Sequence, residues 1–234
     1  TIEAIGRINQ TTVDNIIRFF NGDIPNKVVA KPVVPGKLLL LRHAESEWNA
    51  KGVWSGIADC GLSEKGKEDS HYIGRTIKDL GLSIDVAIHT RLTRTEETLQ
   101  IVCEEVGCEH TTIISDDGIM ERDYGSYTAQ DKWAIKEQIG EEQFNAVRRG
   151  WDVPIPNGET LKDTYERVVP AYQETVWPHL KAGKNVLLVS HGNSLRALMK
   201  YLESISDEDI VDVEMLINQI AIYDIDSETG RAAS

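Results

Sequence analysis

Residues 38–49 read LLLLRHAESEWN and residues 186–198 read VLLVSHGNSLRAL. Each is a run of apolar residues closed by a histidine beside small residues and followed by a segment of helical character. A strand without polar alternation is buried on both faces, the pattern of a parallel sheet covered by helices. Around these two runs strand and helix alternate. The spacing predicts a helix from the Ser63 cap to about Leu80, ended by Gly81, then a strand over 85–88, a helix over 93–106 and a short strand over 112–114. Helices follow at about 131–139, 140–149 and 161–181, then one over 194–202, and a strand over 220–225 closes the sheet at an edge. The predicted fold class is α/β, a three-layer α/β/α sandwich with a mostly parallel central sheet. Ligands of such sheets bind beyond the carboxyl ends of the strands, so His43 and His191 fall at one crevice. A helix starting at Asn193 or Ser194 brings free N–H groups to the same place, a natural phosphate cradle. The remaining histidines, His71, His89, His110 and His179, read as structural or surface groups.

The chain has 234 residues, with 25 Lys and Arg against 38 Asp and Glu, for a formal charge of −13. That balance argues against nucleic acid and anionic membrane as partners, because such binders need basic excess. No apolar run approaches the ~18 residues of a spanning helix. Three cysteines, Cys60, Cys103 and Cys108, without a C-x-x-C pair, suggest neither a disulfide framework nor a zinc knuckle, and a reducing, cytoplasmic setting is expected. Residues 1–36 read as an appendage to a catalytic domain over 37–234. Val13, Ile16, Ile17 and Phe20 predict a short amphipathic helix after Thr11 and Thr12, stopped by Asn21-Gly22. Glu3, Asp14 and Asp23 speak against a targeting peptide. The helix suits packing on the domain surface or self-association, which leaves a homo-oligomer as an option. Pro25, Pro32, Pro35 and Gly36 form a linker.

The string Arg42-His43-Ala44-Glu45-Ser46 resembles the R-H-G signature of the histidine phosphatase superfamily. RHAESEWN and SHGNSLRAL together resemble its cofactor-dependent phosphoglycerate mutase branch. Further matches follow in the same order. His89 to Thr98 resembles S-x-L-x-R-A-x-x-T and puts Arg94 on the phosphate-binding arginine, and Glu121-Arg122-Asp123-Tyr124-Gly125 resembles E-R-H-Y-G. Lys132 falls on the substrate-binding lysine, and FNAVRRGWDVP, residues 144–154, carries the paired Arg148 and Arg149. The resemblance runs from about Leu38 to Ile225. It implies interconversion of 3-phosphoglycerate and 2-phosphoglycerate, in glycolysis and gluconeogenesis, through a phosphohistidine primed by 2,3-bisphosphoglycerate, with no metal.

The chemistry of the residues agrees. A neutral imidazole is a good nucleophile toward phosphorus, which suits His43. A transferring phosphoryl group is stabilised by preorganised donors, here Arg42, Arg94 and His191 with Asn49. Glu121 is the natural acid/base for the substrate hydroxyl. Arg122, Lys132, Arg148 and Arg149 suit the carboxylate and the non-transferring phosphate of a small phosphorylated substrate. Ser46, Ser55, Gly56, Tyr124, Gly192 and Asn193 complete the set by resemblance. Six of the 25 basic residues are thereby assigned to one pocket of an acidic protein.

Several positions depart from the pattern. Ala44 replaces a glycine, which would be strained if that backbone needed positive φ. Asp123 replaces a histidine, Tyr127-Thr128-Ala129 replaces L-Q-G, and Ile217-Asn218 stands near T-G. The segment PIPNGE, residues 154–159, is shorter than the insertion of longer mutases, and the chain ends at Ser234, which is expected to admit more water to the phosphohistidine. A phosphomonoesterase using the same His43 is therefore the first alternative, and a catalytically silent binding module the second. Residues 61–67 have P-loop spacing, but Glu68 stands at the magnesium position, so a capped helix start is expected there. The acidic run over 206–214 lacks the glycine of a calcium loop and reads as a solvated helix. Cys103 and Cys108 read as packing groups.

Overall fold

A computed structural model describes residues 34–233. Its apolar runs lie at the middle of a five-stranded sheet of order β3-β2-β4-β1-β5. The strands are β1 (Leu38–Arg42), β2 (Val86–His89), β3 (Thr112–Ser115), β4 (Val186–Ser190) and β5 (Ile220–Tyr223). The first four pair in parallel, and β5 runs antiparallel to β1 at the edge. The helices are α1 (Glu47–Ala50), α2 (Glu64–Asp79), α3 (Thr93–Val106), α4 (Lys132–Ile139), α5 (Glu141–Arg149), α6 (Leu161–Ala171), α7 (Trp177–Lys181) and α8 (Gly192–Glu203).

Side chains alternate along a strand, so a central strand must be apolar at every position when both faces are covered. Leu38, Leu40, Val186 and Leu188 join Val168, Tyr172, Leu195 and Leu198 of the α6 and α8 layer. Leu39, Leu41, Leu187 and Val189 join Ile73, Ile77, Leu99 and Val102 of α2 and α3. The expected three layers result. A separate small core of Trp54, Ile135, Phe144, Val147 and Ile155 seats α4 and α5, whose last turn carries Arg148 and Arg149.

Four local features refine the expectation. The helix expected over 161–181 is interrupted by a π turn at Tyr172–Val176. Pro178 has no N–H to return to the carbonyl four residues earlier, and Trp177 N–H reaches back five residues to Tyr172 O. The helix after β4 begins at Gly192 rather than Ser194, with His191 as N-cap, because Asn193 N–H finds a tertiary acceptor in Glu121. A one-turn helix, α1, forms on a reciprocal Ser46–Asn49 capping box. The acidic run yields only a 3-10 turn over Asp209–Asp212. Ser63 caps α2 through Gly66 N–H, as read from the sequence. The helix expected within 1–33 and most of its linker lie outside the described residues. No helix among the described residues is long and apolar enough to cross a membrane.

Ala44 is buried and is not among the residues with positive φ, so its Cβ is accommodated without strain. Ala129 is the reverse case, with φ of 65° where the L-Q-G pattern carries glycine. An L residue there costs about 1–2 kcal/mol, partly offset by the lower unfolded-state entropy of alanine. Ala129→Gly should therefore raise stability by about 0.5–1 kcal/mol, or Tm by about 1–4 °C in thermal denaturation. An unchanged or lower Tm would show that the turn stores no strain.

Candidate active site

Because β1 and β4 are adjacent and parallel, the residues that follow them lie side by side. The rings of His43 and His191 have centroids 5.2 Å apart at 61°. His43 N–H extends the ladder to Ser190 O at 2.9 Å. Both side chains are buried. His43 Nδ1 lies 2.7 Å from Ala44 O. A carbonyl only accepts, so Nδ1 carries the proton and Nε2 keeps its lone pair. His191 Nε2 lies 3.0 Å from Thr90 Oγ1, and its Nδ1 has no partner among the described residues.

Burial, then the charges of Arg94 and Arg42, hold His43 well below the usual imidazole range. Burial, Arg94, His43 and Arg42 do the same to His191. Both rings are thus neutral in the folded protein, whereas the unfolded chain takes up protons as pH falls below about 6.5. The sign follows: stability is full above that pH and declines as pH falls below it toward the depressed folded values. Tm should drop from pH 7 to pH 5, and a His191→Gln variant should show a flatter slope; parallel profiles would contradict the neutral assignment.

Arg42, Arg94 and Arg122 come from three separate segments. Arg42, at the end of β1, donates through Nη1 to Met215 O at 2.8 Å. Arg94, fully buried in the first turn of α3, donates to Ala58 O at 2.9 Å and Gly56 O at 2.7 Å. Gly56 has φ of +49°, the left-handed geometry that turns the loop. Arg122, also fully buried, donates to Val147 O at 2.9 Å and stacks 4.7 Å from the Tyr124 ring centroid. The Nε atoms of Arg42, Arg94 and Arg122, and Nη1 of Arg122, are buried with no acceptor in the described chain. Buried guanidinium donors require acceptors, and this set fits the oxyanions of a multiply phosphorylated ligand such as 2,3-bisphosphoglycerate. Arg42 packs on Gly192, where a Cβ would lie 3.3 Å from Cζ. Gly192→Ala should displace that guanidinium and lower kcat/KM about tenfold, with Tm nearly unchanged. Wild-type kinetics would show that the close approach is unimportant.

Glu121 joins the two halves of the site. Its Oε1 accepts from Arg122 N at 2.8 Å and from Asn193 N and Nδ2 at 3.2 Å each. Among the described residues no donor reaches Oε2. Asn193 Nδ2 also donates to Tyr124 Oη at 2.8 Å. Arg42, Glu121, Tyr124, Arg148, Arg149, Gly192 and Asn193 line one cavity of about 80 Å³. Burial, then the charges of Arg148 and Arg42, push the Lys132 ammonium down, but Lys132 does not line this cavity.

Other expected residues serve the frame in this structure. Ser46 and Asn49 spend Oγ and Oδ1 on the cap of α1, which leaves the Asn49 carboxamide nitrogen unused among the described bonds. Ser55 takes part through its carbonyl, which accepts Ala58 N–H. Neither Ser46 nor Ser55 lines the cavity. A separate groove of about 490 Å³, lined by His89, Leu99, Cys103 and Cys108 among others, shares no residue with it. Burial and a hydrogen bond to Cys108 push the Cys103 thiol up, consistent with packing groups.

Arg196 is the site residue that the sequence reading missed. It is buried, and it donates to Val213 O, Arg149 O and Ile210 O at 2.8 Å each, to Asn193 Oδ1 at 3.1 Å and to Arg148 O at 3.2 Å. It thus satisfies terminal carbonyls of α5 while aligning Asn193. Burial, with Arg122 and Arg149 nearby, lowers its guanidinium to about 10. The available signal was a lone arginine among Leu195, Ala197 and Leu198 on a helix that is otherwise apolar there.

The family model of the histidine phosphatase superfamily (branch 1) matches residues 38–234. A 2,3-bisphosphoglycerate-dependent phosphoglycerate mutase of Parvibaculum lavamentivorans is 40% identical over 197 residues, covering 84% of this chain and 94% of that protein. A phosphoglycerate mutase of Schizosaccharomyces pombe is 39% identical over 194 residues, 83% and 92% of the two chains. Among solved structures, Bacillus stearothermophilus YhfR superposes with a TM-score of 0.74 at 26% identity, covering 85% of this chain and 95% of that one. A mycobacterial glucosyl-3-phosphoglycerate phosphatase complexed with VO3 does so with a TM-score of 0.72 at 21% identity, covering 84% and 95%, a likeness of fold.

Proposed function

The chain belongs to the histidine phosphatase superfamily, and on that premise we propose that it is a 2,3-bisphosphoglycerate-dependent phosphoglycerate mutase, working through a phosphohistidine at His43. The substrates are 3-phosphoglycerate and 2-phosphoglycerate. One observation carries the reading: a neutral imidazole with an unprotonated Nε2 lies within the fields of Arg94 and Arg42, each of which has a buried Nε without an acceptor among the described residues. A second cationic cluster, Lys132 with Arg148 and Arg149, suits the carboxylate of the same small molecule.

When bound, 2,3-bisphosphoglycerate supplies the phosphoryl group that primes the enzyme. The protein's part follows from its own groups. His43 Nε2 bonds to phosphorus as the bond from phosphorus to the substrate oxygen breaks, and no proton need first be removed from that nitrogen. Arg42, Arg94 and His191, with the Asn49 carboxamide, bear the charge on the equatorial oxygens. Glu121, through Oε2, gives a proton to the departing substrate oxygen and recovers one from the hydroxyl that next accepts the phosphoryl group. Arg122, Lys132, Arg148 and Arg149 hold the carboxylate and the phosphate that stays, while Tyr124 and Asn193 hold Glu121 in place. Ser46, Ser55 and Gly56 shape the surrounding loops.

The test supplies 3-phosphoglycerate with and without trace 2,3-bisphosphoglycerate and follows 2-phosphoglycerate and free phosphate together. Isomer formed in a manner dependent on the bisphosphate is expected. Rapid phosphate release with little isomer would make the protein a phosphomonoesterase. Neither product, with no acid-labile phosphoprotein, would make it a silent binding module.

A further inference from the structure

Resting on the mutase reading above, we propose that Glu214 is a charge selector at the mouth of the cavity: its carboxylate occupies Arg149 and disfavours ligands in proportion to their negative charge, doubly phosphorylated ones most.

Arg149 Nη2 donates to Glu214 Oε1 at 2.8 Å, with the side chains 31% and 42% exposed. The next residue, Met215, accepts from Arg42 Nη1 at 2.8 Å through its carbonyl. One segment therefore places two acceptors, one carrying a full charge, on two of the cations assigned to the ligand. Glu214 lines the same cavity as Arg42, Arg148 and Arg149, so its carboxylate lies where a ligand's own anionic groups must go. Burial pushes the Arg42 guanidinium down, and the charges of Glu121, Tyr124 and Glu214 work against that, so Glu214 acts on Arg42 as well.

The two ends of this segment differ in freedom. Arg196 holds the carbonyls of Ile210 and Val213, and the Met215 side chain is buried, so the backbone is anchored. The Glu214 side chain is half exposed, and an ion pair of that kind contributes little. An incoming carboxylate or phosphate displaces it from Arg149 at small cost. The anchored backbone nevertheless keeps the carboxylate at the mouth, where each further negative charge on the ligand meets it. Repulsion between like charges scales with their product, so 2,3-bisphosphoglycerate is penalised more than 3-phosphoglycerate.

Titration calorimetry of the full chain and of Glu214→Gln, with each of the two ligands, tests this. The glutamine keeps the shape and removes the charge. Its affinity for 3-phosphoglycerate should rise about threefold and that for 2,3-bisphosphoglycerate about tenfold. The bisphosphate concentration for half-maximal activation should fall in parallel. Equal gains for both ligands, no gain, or weaker binding would overturn the selector role. A wild-type chain that isomerises no phosphoglycerate would remove the mutase reading and this inference with it. Normal isomerisation with affinities unchanged by Glu214→Gln would remove this inference alone.

Discussion

Replacing His43 by alanine abolishes the acid-labile phosphoprotein formed from labelled 2,3-bisphosphoglycerate and slows isomerisation of 3-phosphoglycerate by at least about 10⁴-fold, on the scale seen when a covalent nucleophile is lost. The reason lies in the environment of one nitrogen. Nδ1 is committed to Ala44 O, so Nε2 alone can form the bond. His191 is as buried and as neutral, but its Nε2 faces Thr90 Oγ1 and its Nδ1 is the unpartnered atom. It cannot present the same geometry. The β1–β4 register is made by backbone groups up to Arg42 and Ser190, so the variant should stay folded, which circular dichroism and thermal denaturation would check. Persistent labelling of His43→Ala would refute the assignment and move the nucleophile to His191.

Glu121→Gln lowers kcat in both directions by about 10²–10⁴-fold while KM changes little, the range for loss of a positioned general acid/base. The carboxamide oxygen can still accept from Arg122 N and Asn193, as Oε1 does now, so the frame should be preserved. What is lost is a group that can pass a proton. The deficit should shrink with p-nitrophenyl phosphate, whose leaving group needs no proton. A large rise in KM with kcat retained would instead make Glu121 a binding group, and an equal deficit with both donors would rule out the acid role.

The legible part of this protein was the part encoded by local pattern. Leu38 to Leu41 and Val186 to Val189 each announce a strand covered on both sides, and strand direction then puts the following histidines at one end of the sheet. The helix cap at Ser63 was likewise local, since its side chain bonds Gly66 N–H three residues on. Two of the failures were tertiary, and one, at Ser46 and Asn49, was local. The early start of α8 depends on Glu121, 72 residues before Asn193. Ser46 and Asn49 were read only as ligand groups, whereas their side-chain oxygens close a capping box on each other. Glu214 was read as one charge of a solvated acidic helix, but it sits on Arg149, 65 residues earlier.

Sequence alone therefore determined the layered α/β architecture, the pair of histidines and the inventory of cations, because periodicity, residue type and order along the chain suffice for those. Tertiary structure decided which imidazole nitrogen is free, which guanidinium nitrogens lack acceptors, that Arg196 ties α5 to α8, and that an acidic side chain occupies the cationic mouth. The physical reason is range. A hydrogen bond needs its partners within about 3 Å, and desolvation depends on everything packed around a group. Both are properties of segments that only folding brings together.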